Sequence, residues 1–237
     1  MEVRIADAIY ANSEISTELV PITVNYKKKA KRKLESIVKR TIDILGGIVG
    51  VIFLLPLTVV IYIANLIAKD NGPVFYTQER IGKNGKLFKM YKFRSMVVGA
   101  DGKLEQYLEE NEEAREEYIK YKKLKYDPRV TKVGEFIRKT SIDEFPQFIN
   151  VLKGDMSLVG PRPYLPREKV DMKYYYPYII QDKPGITGFW QVVGRSDVTF
   201  EDRLKLDFNY SKWKSLKLDI KLLLKTVVSV VRKEGAI

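Results

Sequence analysis

The chain contains no histidine and no cysteine. Without cysteine there are no disulfides and no thiolate metal sites, and without histidine the usual zinc ligands and the usual neutral-pH base are gone. Any chemistry must therefore rest on carboxylates, lysines, arginines and a hard, oxygen-preferring ion such as Mg²⁺. Acid is also scarce relative to base. With 42 Lys and Arg against 30 Asp and Glu, the formal charge is +12, which points to anionic partners: nucleic acid, acidic lipid or a phosphorylated substrate. A length of 237 residues suits one domain with appendages.

The charge is unevenly spread. Tyr26–Arg40 is dense in lysine and arginine, with Glu35 its single acid, and it directly precedes the uncharged run Ile44–Ala68. At about 1.5 Å per residue, a helix of about 25 residues is long enough to cross a bilayer. The run begins too far into the chain and is too long for a cleavable signal peptide, and no small-x-small site follows it. Pro56 stands at its centre, where it removes a backbone donor and is expected to kink or break the helix. Basic residues flank both ends, Lys27–Arg40 before and Lys69, Arg80, Lys83, Lys86 and Lys89 after, so the positive-inside rule gives no orientation. Two readings stay open: a kinked spanning helix, or one that enters, bends at Pro56 and leaves on the same side.

Farther along, Val74–Gln78 and Leu87–Arg94 read as strands around Asn84-Gly85, a hairpin signal. Asp101–Glu117 is acid-rich and reads as a surface helix. Lys153-Gly154-Asp155 reads as a helix stop, in which Asp155 either caps the next turn or serves a metal. Tyr174–Tyr178 reads as aromatic packing rather than base stacking. Leu216–Lys233 reads as an apolar helix, with Leu216, Leu223, Val227 and Val231 on one face. It either lies in a membrane interface or packs on the core.

The most informative stretch is Thr140–Pro163, TSIDEFPQFINVLKGDMSLVGPRP. Ser141 and Glu144 have capping-box spacing ahead of an apolar run. Ile142, Phe145, Phe148, Ile149 and Leu152 share one helical face, with Asp143, Gln147 and Asn150 opposite. On this reading Asp143 sits in the first helical turn, away from the packed side. The helix dipole there would hold its carboxylate ionised, as a nucleophile or metal ligand. The plainer reading makes Asp143 and Glu144 ordinary N-terminal helix acids. Arg138 lies close enough in sequence to reach the same place, and Arg162 sits between two prolines in GPRP.

SIDEFPQFINVLKGDMSLVGPRP and PGITGFWQVVGRS (Pro184–Ser196) resemble the bacterial sugar transferase family, the monotopic phosphoglycosyl transferases. So do the hydrophobic segment, PVFYTQERIGKNGKLFKMYKFRSM (Pro73–Met96) and DPRVTKVGEFIRKTSIDE (Asp127–Glu144). The likeness covers roughly Lys39 to the C-terminus. It implies an α+β fold: a helix-rich, membrane-associated catalytic domain with a small β-hairpin, a re-entrant membrane helix and interfacial amphipathic helices. The implied division is 1–38 as an N-terminal extension, 39–70 as the re-entrant helix and 71–237 as the catalytic domain. The family often has serine before the helix-breaking proline; here that residue is Leu55.

The resemblance further implies transfer of a sugar 1-phosphate from a UDP-sugar to polyprenyl phosphate at the cytoplasmic face of a bacterial inner membrane, with release of UMP. Asp143 would be the nucleophile, and Glu144 would hold Mg²⁺, with Asp155 a second metal candidate. Arg138, Arg162, Arg195, Lys92 and Arg94 would bind substrate; a surface salt bridge is the plainer role for Arg195. TGFWQVVGRS looks more like members using glucose or galactose. Anionic lipids are expected partners and nucleic acid is not, and a homodimer is left open. The alternative class is a non-catalytic, membrane-anchored basic binding or scaffold protein.

Overall fold

The computed structural model describes residues 26–193 and 198–231, with side chains described for 33–193 and 198–229. The N-terminal 25 residues and Arg195 lie outside that set. Helix α1, Tyr26–Ile67, carries the apolar run. A hairpin follows, β1 (Phe75–Ile81) against β2 (Leu87–Phe93), paired antiparallel from Phe75↔Phe93 to Ile81↔Leu87. Its turn places Asn84 at φ 58° and Gly85 at φ 78°, the left-handed region that Asn-Gly tolerates. The expected hairpin is present, with β1 running three residues beyond Gln78.

The acidic stretch forms two helices instead of one, α2 (Ala100–Glu110) and α3 (Glu112–Tyr121). Asn111 is the reason: its backbone is extended and its side chain accepts a hydrogen bond from the Ala114 amide, which starts a new helix. Leu104, Ala114 and Leu124 give this pair a small core of its own. Helix α4 (Lys132–Lys139) is capped by the Thr131 hydroxyl. Then come a 3₁₀ turn at Ile142–Glu144, α5 (Gln147–Lys153), a parallel pair β3 (Ser157–Val159) and β4 (Gly185–Thr187), α6 (Phe200–Trp213) and α7 (Leu216–Val231). Single helical turns between β3 and β4 bring Tyr174, Tyr175 and Tyr178 onto Phe208, which confirms aromatic packing there.

The central core joins Met90, Val151, Met156, Val159, Leu206, Tyr210 and Leu222, so the hairpin, α5, β3, α6 and α7 share one interior. Helix α7 packs through Leu218, Leu222 and Leu223, while Ile220, Leu224, Val227 and Val228 remain exposed. The core-packing reading holds for one side of this helix, and the other side is bare and apolar.

Helix α1 runs helically through Pro56 without a break. Its buried positions, Asp43, Gly47, Gly50, Leu54, Ile61 and Asn65, form one stripe spanning the proline. Leu54 and Ile61, on either side of it, pack into one cluster with Phe93 and Ile137. Proline costs one intrahelical hydrogen bond and a steric conflict, and packing along both halves offsets that. The remaining circumference is exposed and apolar, including Leu45, Ile48, Ile52, Phe53, Leu55, Val60, Ile63 and Ile67.

Three glycines let α1 lie flush on the body. A β-carbon at Gly50 would stand 2.2 Å from Phe148, one at Gly47 2.6 Å from Leu152, and one at Gly46 2.6 Å from Leu158. Gly50→Ala should therefore cost ~1–3 kcal/mol through overpacking, measured as a lower unfolding midpoint in detergent. An unchanged midpoint would mean that α1 does not seat on α5 as described. Both flanks of the apolar run are also tied to the same body. Lys39 donates to Val159 O (2.9 Å) and Asp219 (2.6 Å), Arg40 donates to Val151 O (2.7 Å) and Leu152 O (2.9 Å), and Asp43 accepts from Ser157 Oγ and Leu158 N. Beyond the helix, Asp70 pairs with Arg94 at 2.9 Å.

Candidate active site

Asp143 and Glu144 lie in the 3₁₀ turn, not in the first turn of a capped α-helix. Ser141 adopts φ 56° and makes no side-chain cap, and α5 starts later, after Pro146. The expected capping box is therefore absent; Pro146 has no amide to donate back to Ile142 O, and the bonds around it close three residues apart until α5 begins. Asp143 is also not on a solvent face. It is 7% exposed. Gln147 and Asn150, on the same side, are buried as well. Asn150 donates to Lys89 O (2.8 Å) and accepts from Tyr91 N (3.0 Å), so the polar face of α5 is pinned to β2. Its apolar face meets α1. Both faces of α5 are covered, and the carboxylate pair is held at its N-terminal end.

Lys92, from β2, spans the pair. Its Nζ is 3.4 Å from Asp143 Oδ2 and 3.1 Å from Glu144 Oε1. Arg138 approaches from the last turn of α4. Gly134 makes that approach feasible, because a β-carbon there would lie 1.9 Å from Ser95 O. Arg138 Nε then donates to Ser95 Oγ at 2.9 Å, and its charge acts on Asp143. Burial raises the Asp143 pKa above its ordinary value; Lys92 opposes the rise, Glu144 adds to it, and Arg138 opposes it. The expected low, dipole-stabilised pKa is thus reversed in direction, because desolvation outweighs the nearby cations.

The other expected site residues go elsewhere. Arg94 is consumed by Pro73 O, Met96 O and Asp70, as a buried strap at the end of β2. Asp155 lies past the opposite end of α5, where it meets Asn150 and Lys153. Among the described residues no group of three or more carboxylates converges as a ready metal cage. Arg162 belongs to a second polar group. Its amide donates to Asp207 Oδ2 (2.9 Å), and its guanidinium lies over Trp190 with a centroid distance of 5.5 Å.

Arg203 also lies over Trp190, and Arg80 ties the GPRP segment through Pro163 O at 2.8 Å. Asp207, fully enclosed, is pushed up to about 7 by burial, against the Arg162 amide and the Tyr164 hydroxyl. Burial and then Arg162 lower both Arg80 and Arg203 to about 10. Sequence reasoning missed Arg80, Arg203, Asp207 and Ser95 as site-shaping residues. A lone arginine or aspartate within a strand or helix gives no sign that it will be buried, so no local signal could have found them.

A buried aspartate and a part-exposed glutamate under one lysine, mounted against a long helix whose outer face is bare and apolar, define a carboxylate-centred site carried at an apolar surface. The chain belongs to the bacterial sugar transferase family, whose model matches residues 34–233. It is 46% identical over 218 residues to the undecaprenyl-phosphate galactose phosphotransferase of Salmonella typhimurium, covering 92% of this chain and 44% of that protein. It is 43% identical to the UDP-galactose-lipid carrier transferase of Erwinia amylovora, again covering 92% and 44%. To the exopolysaccharide production protein ExoY of Rhizobium meliloti it is 38% identical, covering 91% of this chain and 95% of that one. The chain thus spans less than half the length of the first two relatives and nearly all of the third.

Proposed function

We propose that this protein transfers a hexose 1-phosphate, galactose or glucose, from a UDP-sugar to a polyprenyl phosphate at a membrane surface and releases UMP. The observation that carries the reading is Lys92 bridging buried Asp143 and the more exposed Glu144, in a chain similar to an undecaprenyl-phosphate galactose phosphotransferase. An Asp143 oxygen attacks the sugar-linked phosphorus. The phosphoanhydride bond breaks, UMP departs with the electron pair, and the sugar phosphate stays as an acyl phosphate on Asp143. An oxygen of the polyprenyl phosphate then attacks the same phosphorus and returns the carboxylate. Lys92 opposes the burial penalty on ionised Asp143 for the first step and balances the charge of the returning carboxylate. Arg138 offers a planar donor fork to phosphate oxygens.

Mg²⁺ fits this donor set only in part. Two carboxylates are at hand, and Mg²⁺ is commonly held by one or two carboxylates together with substrate phosphates. Glu144, the more exposed of the two, would hold it, and the bound ion would neutralise diphosphate charge. UMP release should vanish in excess EDTA and return with Mg²⁺ or Mn²⁺ but not with Zn²⁺. Undiminished release in EDTA would remove the metal from the account.

Attachment on one side of a bacterial inner membrane, the cytoplasmic face, is part of the proposal. Its support is that Lys39–Arg40 before the apolar run and Asp70 after it are tied to one body. A helix that crossed the bilayer would need the polar body bound to both flanks of the run to lie within the hydrocarbon. Incubation with a panel of UDP-sugars, polyprenyl phosphate and Mg²⁺ tests the activity. UMP release with UDP-galactose or UDP-glucose is expected, and none with any UDP-sugar would favour a binding or scaffold role.

A further inference from the structure

Lys183 is half-buried and has no partner among the described residues. It precedes β4 and faces the end of α5, where Gly154 turns the chain at φ 86°. A β-carbon built on Gly154 would lie 3.3 Å from Lys183 Nζ and 3.6 Å from Arg40 Nη2. Two cations therefore converge over one bare α-carbon. Burial and then repulsion by Arg40 lower the Lys183 pKa; Lys83 adds to the repulsion, while Asp43 and Asp155 oppose it.

The surrounding acceptors are already engaged. Asp43 accepts from Ser157 and Leu158, and Asp155 meets Asn150 and Lys153. The carbonyls of Val151 and Leu152, which could have received Lys183 at the helix end, are held by Arg40. A half-buried ammonium beside a guanidinium, with no carboxylate in hydrogen-bonding contact among the described residues, is costly. An anion over Gly154 would relieve it.

The position of the pair identifies the anion. Arg40 stands just ahead of the uncharged run that begins at Ile44, from which the exposed side of α1 carries no charge. With that face in a bilayer, as the proposed function has it, Lys183 sits at headgroup depth. The pair is distinct from the reaction centre. The Asp143–Glu144 turn precedes the opposite end of α5, and a seven-residue helix is roughly 10 Å long. We propose that Arg40 and Lys183 form a phosphate site over Gly154 that holds the headgroup of an anionic bilayer phospholipid, a resident lipid and not the acceptor. The inference rests on the membrane part of the proposed function.

Native mass spectrometry of the full chain, released from nanodiscs of phosphatidylcholine with or without phosphatidylglycerol, tests it. Wild type should retain a phosphatidylglycerol adduct. Lys183→Gln should reduce its occupancy about fivefold, the order expected for one cation at a headgroup. Lys183→Arg should keep it, and Lys153→Gln should leave it unchanged. Equal adducts in wild type and Lys183→Gln, or binding of inorganic phosphate by the lipid-free protein with no preference for phosphatidylglycerol, would overturn the site. Covalent loading of Asp143 from UDP-sugar is read in the same spectra. Failure of the transferase reading is therefore seen separately.

Discussion

Asp143→Asn should lower UMP release at least about 1000-fold, the scale of losing a covalent nucleophile, and at the same time make the protein more stable near neutral pH. The two effects share one cause. Burial raises the Asp143 pKa, so the folded protein binds that proton more tightly than the unfolded chain does. The contribution of this group is fully present below the ordinary aspartate range. It is lost as pH rises through the raised value and stays lost above it. Asparagine carries no charge to desolvate and escapes that loss. Unfolding midpoints of wild type and variant should therefore diverge with the variant higher at pH 7–8, and converge as pH falls toward about 4. A less stable, inactive variant would mean that Asp143 is a structural ion-pair partner, and the loss of activity would then follow from misfolding.

The second large effect is expected at Lys92. Its ammonium is the main influence opposing the raised pKa of Asp143. With Lys92→Gln the desolvation and the repulsion from Glu144 remain, so the Asp143 pKa rises further. UMP release at pH 7 should fall about 100-fold, the usual order for mis-set protonation at a reacting group. The acid limb of the pH–rate profile should move to higher pH, with activity partly recovered at alkaline pH. Lys92→Arg keeps the charge and should keep the limb near its wild-type position. If Lys92 served only to bind phosphate, Lys92→Gln would raise KM and leave the acid limb unmoved.

Legibility in the sequence followed the range of the physics. The hairpin was visible because Asn84-Gly85 is a local conformational signal. The stop at Gly154 was visible for the same reason. The adjacency of Asp143, Glu144 and Arg138 was visible because they are neighbours along the chain. The burial of Asp143 was not. The polar side of α5 read as solvent-facing, and only tertiary pairing of Asn150 with β2 turns it inward. Arg94 and Arg162 looked alike as candidates. A strap to Pro73 O and Asp70 separates one, and the Trp190–Asp207 group claims the other. Asp155 read as equally a cap or a ligand, and the length of α5 puts it away from the carboxylate pair. Pro56 signalled a break that packing of α1 on both sides of it, from Asp43 to Asn65, overrides.

The central claim is that Asp143 carries the sugar phosphate between two substrates, and intact-protein mass spectrometry tests it most directly. Protein incubated with UDP-galactose and Mg²⁺, without lipid, should gain the mass of one hexose phosphate. Peptide mapping should locate it on Asp143, and added polyprenyl phosphate should discharge it. Full turnover with no adduct at any time, or an adduct that persists in Asp143→Asn, would contradict the account.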